Sequence, residues 1–428
     1  MTRVAPALLL GCAMLALASV RADVAEPAPL DPEHALAGAL AEVARGDLDR
    51  ALGRLDALIA AQPNFRLAHL VRGDVLAARG AVLTGFGAGA PRAAAGQHEA
   101  LADLKAEAEA RLLALAARPG AELLPASLLR FAPDERHALV FDAARARLYL
   151  FEVRDGRPVL VADYYASQGK AGGDKRREGD KRTPTGVYRM SGWLAPADLT
   201  DFYGAGAFPI SYPNAWDLRE GRDGFGIWLH GTPRDTYARA PRASDGCVVL
   251  ANADLRALRE RVDPRRTPVV VAEHLDWVPR EHWLAERDAL EQAVERWRLA
   301  WQSRDADRYL GHYSAGFISA EGQDRGDWDA YKRRVLAARR FVAVGVSDLS
   351  LQLDPRRPDL AVATFTQAYA ADNLSGEMQK RLYLVRERGE WRIAWEGESA
   401  HDRGRPMRAR NQLLAQKPAA PQAVRASP

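Results

Sequence analysis

Two short segments carry residue types that together suit acyl-transfer chemistry: IWLHGTP over 227–233 and ASDGCVVL over 243–250. A strand-like run ends in His230, a loop of glycine and polar residues follows, and a Ser-Asp-Gly-Cys turn enters a second strand-like run. A thiol ordinarily titrates near about 8.5 and attacks only as thiolate. A neighbouring imidazole that takes its proton makes Cys247 and His230 the minimum nucleophile–base pair. Gly246 lets backbone approach a substrate carbonyl, and the amides of Gly246 and Cys247 are candidates for donating to a developing oxyanion. Ser244 and Asp245 complete the turn. A lone cysteine is ordinarily a small buried hydrophobe, and a lone histidine is ordinarily structural. Here the glycine and polar flanks, and the pairing of the two, favour function.

The chain has 428 residues, enough for roughly three domains. Its 47% hydrophobic and 27% charged residues exclude wholesale disorder. Lys and Arg exceed Asp and Glu by only four, too few to argue for nucleic acid. Nine histidines without ligand spacing imply no metal, and no cofactor motif appears. The two cysteines, Cys12 and Cys247, exclude a disulfide framework and a thiolate zinc site. Arg3 followed by an uncharged apolar run over 4–20, with small residues around Ala22, reads as a signal peptide cut after residue 22. A retained anchor and a lipoprotein cut at Cys12 are the minor readings. The protein is therefore expected in the periplasm or cell envelope, with Cys247 as the one thiol of the mature chain.

Residues 31–129 are rich in Ala and Leu at helical spacing. Asp31-Pro32-Glu33 is a helix start, and Leu48, Leu52, Leu55 and Ile59 share one face. Residues 41–80 resemble one tetratricopeptide-like pair, matching at Gly46, Ala51, Pro63, Phe65, Ala68 and Gly73. One copy makes a scaffold or a self-association segment, not an array. Strand-like runs dominate 136–275, with a helix over 252–262 that Asn252 is expected to cap. After a tryptophan-containing connector, 288–399 begins helically and continues as strands, an α+β unit. Its WRLAWQSRDADRYLGHYSAGF and WRIAWEGE stretches resemble the nuclear-transport-factor-2-like (SnoaL-like) cone fold. Residues 400–428 are basic, Pro/Ala-rich and aperiodic, and are expected to be a disordered tail. The fold class is thus multidomain α+β.

His230-Gly231 followed by Ser244-Asp-Gly-Cys247 resembles the L,D-transpeptidase (YkuD-like) motif. The resemblance extends to LYLF (148–151), SQGK (167–170), TPTGVY (183–188), Asn252, Asp254 and VVV (269–271). It implies a β-sandwich-like catalytic domain in which Cys247 attacks the amide after the L-centre of meso-diaminopimelate. His230 would be the base, and the Gly231 carbonyl would orient its ring. Asp245 replaces the family's usual His or Arg, and Val249 its usual Asn or Arg, so an Arg contact to substrate carboxylate is displaced. Arg234, Arg239 or Arg242 could replace it, or each is a loop residue. Tyr203, Tyr212 and Trp216 are candidates for the groove wall or for core packing. The cluster KRREGDKR (175–182) is expected as a solvated, mobile loop, with attraction of anionic wall polymers as a second reading.

The order of the three parts resembles the cell-shape L,D-carboxypeptidases of helical bacteria. The expected function is a peptidoglycan-remodelling cysteine enzyme that forms a thioester and passes the acyl group to an amine. The alternative is trimming of tetrapeptide stems to tripeptides, with water as acceptor; a third reading is a non-catalytic envelope-binding protein. Expected partners are stem peptides, a second copy or another envelope protein through the helical segment, and an unidentified small ligand in the cone. In that cone His312 and Asp305 are single polar residues with no sign of catalysis.

Overall fold

The computed structural model describes residues 31–80, 86–87, 98–116, 119–120 and 122–399. The expected signal peptide, Cys12 and the tail from 400 lie outside the described residues. Helix Pro32–Ala44 starts where Asp31 caps it, the Asp31 carboxylate accepting from the amides of Glu33 and His34. Helices Leu48–Ala61, Arg66–Ala78 and His98–Ala116 follow. Leu52, Leu55 and Leu58 pack with Leu67, Val71 and Val75 in a small core of this unit.

The helical run expected to reach 129 ends at Ala116. Leu123–Pro125 and Leu128–Arg130 are strands instead. The first pairs with Trp277–Pro279 inside the connector, and the second pairs with the edge strand Val342–Leu353. Edge backbone of the C-terminal sheet takes up the hydrogen bonds of a leucine-rich segment whose local composition favours helix. Non-local pairing overrides propensity here.

The middle region forms a nine-stranded sheet. Its spine is the order His137–Asp142, Arg147–Arg154, Arg157–Gly169, Val248–Leu250, Trp228–His230. Leu139, Leu148, Leu150, Leu229, Val248 and Leu250 face one core, which helix Asn252–Arg261 closes with Leu255 and Leu258. The opposite face of its first strands packs on the C-terminal sheet. Val140, Phe151 and Val270 meet Val362, Tyr383 and Trp395 there. Two domains thus share one apolar layer, and their relative position is fixed by burial.

The C-terminal unit is the long helix Arg280–Ser303 laid in a curved sheet of Tyr313–Ser319, Glu390–Glu398, Ser375–Glu387, Leu360–Ala371 and Val342–Leu353. Trp283, Leu290, Val294, Trp297 and Trp301 form the helix's buried stripe. The strand runs expected at 341–346 and 349–353 are one strand, interrupted by a register shift between Ser347 and Ser350.

The helical unit docks on the catalytic sheet through charge. Arg147, 3% exposed, holds Asp163 at 2.6 Å and Glu33 at 2.9 Å, and Glu33 in turn accepts from Arg111 at 2.7 Å. The Arg111 guanidinium lies 4.0 Å from the Tyr165 ring centroid. Removing one member strands its partners away from water, so Arg147→Ala should lower unfolding free energy by about 2–3 kcal/mol. Denaturant titration checks this; an unchanged midpoint would show that the helical unit is not held through this network.

Candidate active site

Strand register brings the two candidate residues together. Trp228–His230 pairs in parallel with Val248–Leu250, with Val248 opposite Leu229 and Val249 opposite His230. Side chains alternate along a strand, so Leu229, Val248 and Leu250 enter the core while Trp228, His230, Val249 and Cys247 take the other face. Cys247 lies two residues before the position opposite His230. On its other side Val249 pairs with Ser167, and Arg242–Ser244 pairs with the end of the same long strand at Gln168 and Gly169. The SQGK segment therefore supports both the cysteine strand and the turn leading into it.

Both motif glycines are required by close approach. A Cβ at Gly231 would fall 2.1 Å from Asn252 Oδ1, and one at Gly246 would fall 2.8 Å from the Arg182 carbonyl. Gly246 also has φ +132°, where L-residues are strained. Asn252 does not cap its helix, as was expected of it; Ala251 holds that position. The Asn252 carboxamide accepts from Ala205 N at 2.7 Å and donates to Thr232 O at 2.8 Å, clamping the backbone around Gly231.

His230 is 1% exposed, and its Nδ1 lies 2.6 Å from the Gly231 carbonyl. A carbonyl only accepts, so Nδ1 carries the proton and the neutral ring keeps its lone pair on Nε2. Burial lowers the imidazole to about 4 despite that hydrogen bond. Tyr203 stands edge-on at 5.1 Å and Phe202 at 5.7 Å from the ring. Cys247 is partly exposed as a residue, but its sulfur is packed among protein atoms, and that burial raises the thiol to about 11. The thiol donates to the Gly226 carbonyl at 3.5 Å. At neutral pH the resting pair is a neutral thiol and a neutral imidazole rather than an ion pair. The imidazole is ready to accept a proton, and the thiol is not yet charged.

Ser244 Oγ donates to the Cys247 carbonyl at 2.6 Å and accepts from Gly246 N at 3.1 Å, locking the turn. The Gly246 amide, expected to serve an oxyanion, is thus bonded to Ser244 in this structure. Asp245 is exposed and lies 3.8 Å from Lys170. Of the arginines proposed for substrate, Arg234 points to solvent and pairs with Asp201, and Arg242 lies exposed on the adjoining strand. Arg239 is the one drawn to the pair. Its positive charge favours thiolate at Cys247 and disfavours imidazolium at His230, and it lies over the Phe202 ring at 4.8 Å. No carboxylate pairs with it among the described residues. Nothing local in the sequence separates Arg239 from its neighbours. Its carbonyl is held by Tyr165 and Ser167, and its loop by Phe65 against Tyr237 and by Asn64 Nδ2 on the Arg234 carbonyl.

Tyr212 and Trp216 do not line the groove. Tyr212 is buried with its hydroxyl on the Asp223 carbonyl, and Trp216 packs on Tyr383 between the domains. The basic run 175–182 keeps Arg176, Arg177, Lys181 and Arg182 exposed, as expected of a solvated loop, but it is held together by internal hydrogen bonds. Lys175 is 3% exposed, and Asp180 accepts from its ammonium and from the amides of Arg176, Arg177 and Arg182. In the C-terminal cone, Asp305 caps a helix. The polar center missed at the sequence level is Glu396, buried with Lys380 at 2.8 Å and Tyr313 at 2.6 Å. Lys332 sits 4.3 Å from the Trp328 ring, its ammonium pushed down to about 8 by burial.

With this geometry in place, comparison with known proteins gives the class. Residues 136–271 match the L,D-transpeptidase catalytic domain, and 289–397 match the Cds6 C-terminal NTF2-like domain. The chain therefore carries an L,D-transpeptidase-type catalytic domain followed by an NTF2-like domain, behind N-terminal helices. Among solved structures, Bd1075 of Bdellovibrio bacteriovorus is similar at 28% identity and TM-score 0.57, over 64% of this chain and 98% of that one. The helical cell shape determining protein Pgp2 of Campylobacter jejuni shares the fold at 24% identity and TM-score 0.56, over 64% of this chain and 95% of that one. Comparison with curated proteins gives no match.

The raised thiol makes a direct prediction. The rate of Cys247 alkylation by iodoacetamide should climb with pH without a plateau below about pH 9, because the thiolate fraction keeps growing toward pH 11. A plateau near neutrality would reveal a resting thiolate–imidazolium pair instead.

Proposed function

We propose that this chain is a cysteine acyltransferase of peptidoglycan stem peptides. Cys247 attacks the stem carbonyl, and Nε2 of His230 takes the thiol proton as the C–S bond forms. The same imidazolium then protonates the departing amine, leaving a thioester on Cys247 and a neutral histidine. An acceptor amine, deprotonated by that histidine, attacks the thioester carbonyl and releases the thiolate, which recovers a proton. The observation that carries this reading is the shared face of Cys247 and His230, with Nδ1 tied to the Gly231 carbonyl.

Burial suits the cycle. The neutral starting pair is uncharged, so charge develops only as attack proceeds, beside the guanidinium of Arg239. Arg239 is also the best-placed replacement for the displaced Arg contact to a substrate carboxylate, because it acts on the sulfur and, with Asp245 felt only at longer range, is in no ion pair among the described residues.

A second reading, hydrolysis with water as acceptor, is favoured by one observation. The fold match to the helical cell shape determining protein Pgp2 covers 95% of that chain and 64% of this one, more than the catalytic domain alone would span. The site and the first half-reaction are common to both readings. An envelope location, from the residue 1–22 segment, is part of the same proposal.

Purified full-length protein incubated with tetrapeptide muropeptides distinguishes them by product mass. Cross-linked dimers support the amine acceptor, and tripeptides alone support water. Cys247→Ala should reduce either product by more than about 1,000-fold, the scale of losing a nucleophile. Full activity in that variant would end the proposal.

A further inference from the structure

The loop 231–241, between the strands that carry His230 and Ser244, contains neither helix nor strand. Its Arg239 guanidinium is in no ion pair among the described residues, so the cation takes its position from the backbone beneath it. Side chains fix that backbone at three places. At the start, Thr232 Oγ1 donates to the Thr236 carbonyl at 2.6 Å. At the end, the Tyr165 hydroxyl and Ser167 Oγ donate to the Arg239 carbonyl at 2.8 and 3.1 Å. The middle is held from the helical unit, 170 positions away in sequence. Asn64 Nδ2 donates to the Arg234 carbonyl at 2.7 Å, and the Phe65 ring lies 4.3 Å from the Tyr237 ring.

Two of these holds converge on one buried cation. Arg111 Cζ lies 5.1 Å from the Phe65 centroid and 4.0 Å from the Tyr165 centroid. The ring that touches Tyr237 and the ring whose hydroxyl holds the Arg239 carbonyl therefore share one guanidinium. Glu33 and Glu107 secure it at 2.7 and 2.9 Å. At the far end of the loop, Arg239 Cζ lies 4.8 Å from the Phe202 centroid, and the Phe202 ring stands 5.7 Å from that of His230. A continuous line of contacts runs from the N-terminal helices to His230.

From this line of contacts we propose that Asn64 and Phe65 are positioning residues for acyl transfer: they hold the loop so that the Arg239 guanidinium stays against Phe202, beside His230 and Cys247. The inference rests on the reading above that Arg239 acts on the reacting pair, and it extends that reading. The helical unit contributes no group to the reaction, yet it sets the charge that faces the sulfur. A loop released by Asn64 and Phe65 keeps both ends, because Thr232 and Tyr165 still hold them. Its middle gains conformational freedom, and the guanidinium spreads over many positions. A charge interaction weakens with distance and with exposure to water, so a guanidinium that swings outward loses most of its effect on the sulfur.

The test compares two alkylating reagents on the full chain, with adducts at Cys247 counted by peptide mapping. Iodoacetamide is neutral and iodoacetate carries a carboxylate; in both, the thiolate displaces iodide. The ratio of their rate constants therefore cancels the thiolate fraction and reports the charge beside the sulfur. Arg239→Ala should lower the iodoacetate-to-iodoacetamide ratio at least about fivefold, the scale of one nearby charge. Asn64→Ala, a surface change, and Phe65→Leu, which keeps the core filled, should each lower it at least about twofold and add nothing further in the Arg239→Ala background. Tyr237→Phe keeps the ring and should leave the ratio unchanged, whereas Tyr237→Leu should match Phe65→Leu. A general loosening of the site would instead expose the sulfur and speed both reagents. Faster iodoacetamide alkylation in the Asn64 and Phe65 variants therefore overturns the inference. So does an unchanged ratio in those variants when Arg239→Ala lowers it, a result that leaves the reading of Arg239 intact. If Arg239→Ala itself leaves the ratio unchanged, that reading fails and the positioning role falls with it. None of these outcomes depends on whether Cys247 forms a thioester.

Discussion

The parallel pairing of Trp228–His230 with Val248–Leu250 is the constraint on which the site depends. Period-two alternation means that a slip of one residue would send Cys247 or His230 into the core and bring a leucine or valine to the surface. The register is held because Leu229, Val248 and Leu250 are fully or almost fully buried against helix Asn252–Arg261. The hydrophobic residues between the motif residues therefore set the geometry of the motif. Gly231 and Gly246 then allow the flanking backbone to close without side chains in the way.

Electrostatics follow from the same packing. Burial shifts the thiol up and the imidazole down, so the pair rests uncharged, and the cation that acts on both members is Arg239. That arginine lies on a loop held from two sides, by Tyr165 and Ser167 of the catalytic sheet and by the N-terminal helices. Asn64 and Phe65 hold the loop, and the Glu33, Arg111 and Arg147 network holds those helices to the sheet. The helical segment thus braces the loop that carries Arg239. At the other side, the C-terminal sheet shares an apolar layer with the catalytic sheet, so the three units form one frame.

Much of this is legible in the sequence, for identifiable reasons. Strand ends at His230 and after Cys247, the helix after 252 and the glycine requirements are local signals written in alternation and turn chemistry. The resemblance of 136–275 and 288–399 to known families rests on ordered motifs of the same kind. What escapes is non-local. Leu123–Pro125 and Leu128–Arg130 look helical and become strands only because distant edges accept them. Trp216 looks like a groove residue and is claimed by Tyr383, 167 positions later. The basic run 175–182 is solvated at Arg176, Arg177, Lys181 and Arg182 as its composition suggests, but composition does not show that Asp180 gathers its amides and the buried Lys175 ammonium into one turn. Asn252 sits where a cap is expected, and its carboxamide is used instead by backbone at Ala205 and Thr232. Glu396 and Lys380 occupy strand positions that local patterning leaves undistinguished; only folding buries them as a pair.

The central claim is that His230 activates Cys247 to form an acyl-enzyme. Intact-protein mass spectrometry after exposure to a carbapenem, with peptide mapping of the adduct, tests it most directly. The account predicts a single adduct on Cys247 in the wild-type chain and formation slowed by at least about 100-fold in His230→Gln, the scale of losing a general base. An adduct that forms at the same rate without His230, or that maps to a residue other than Cys247, would contradict it.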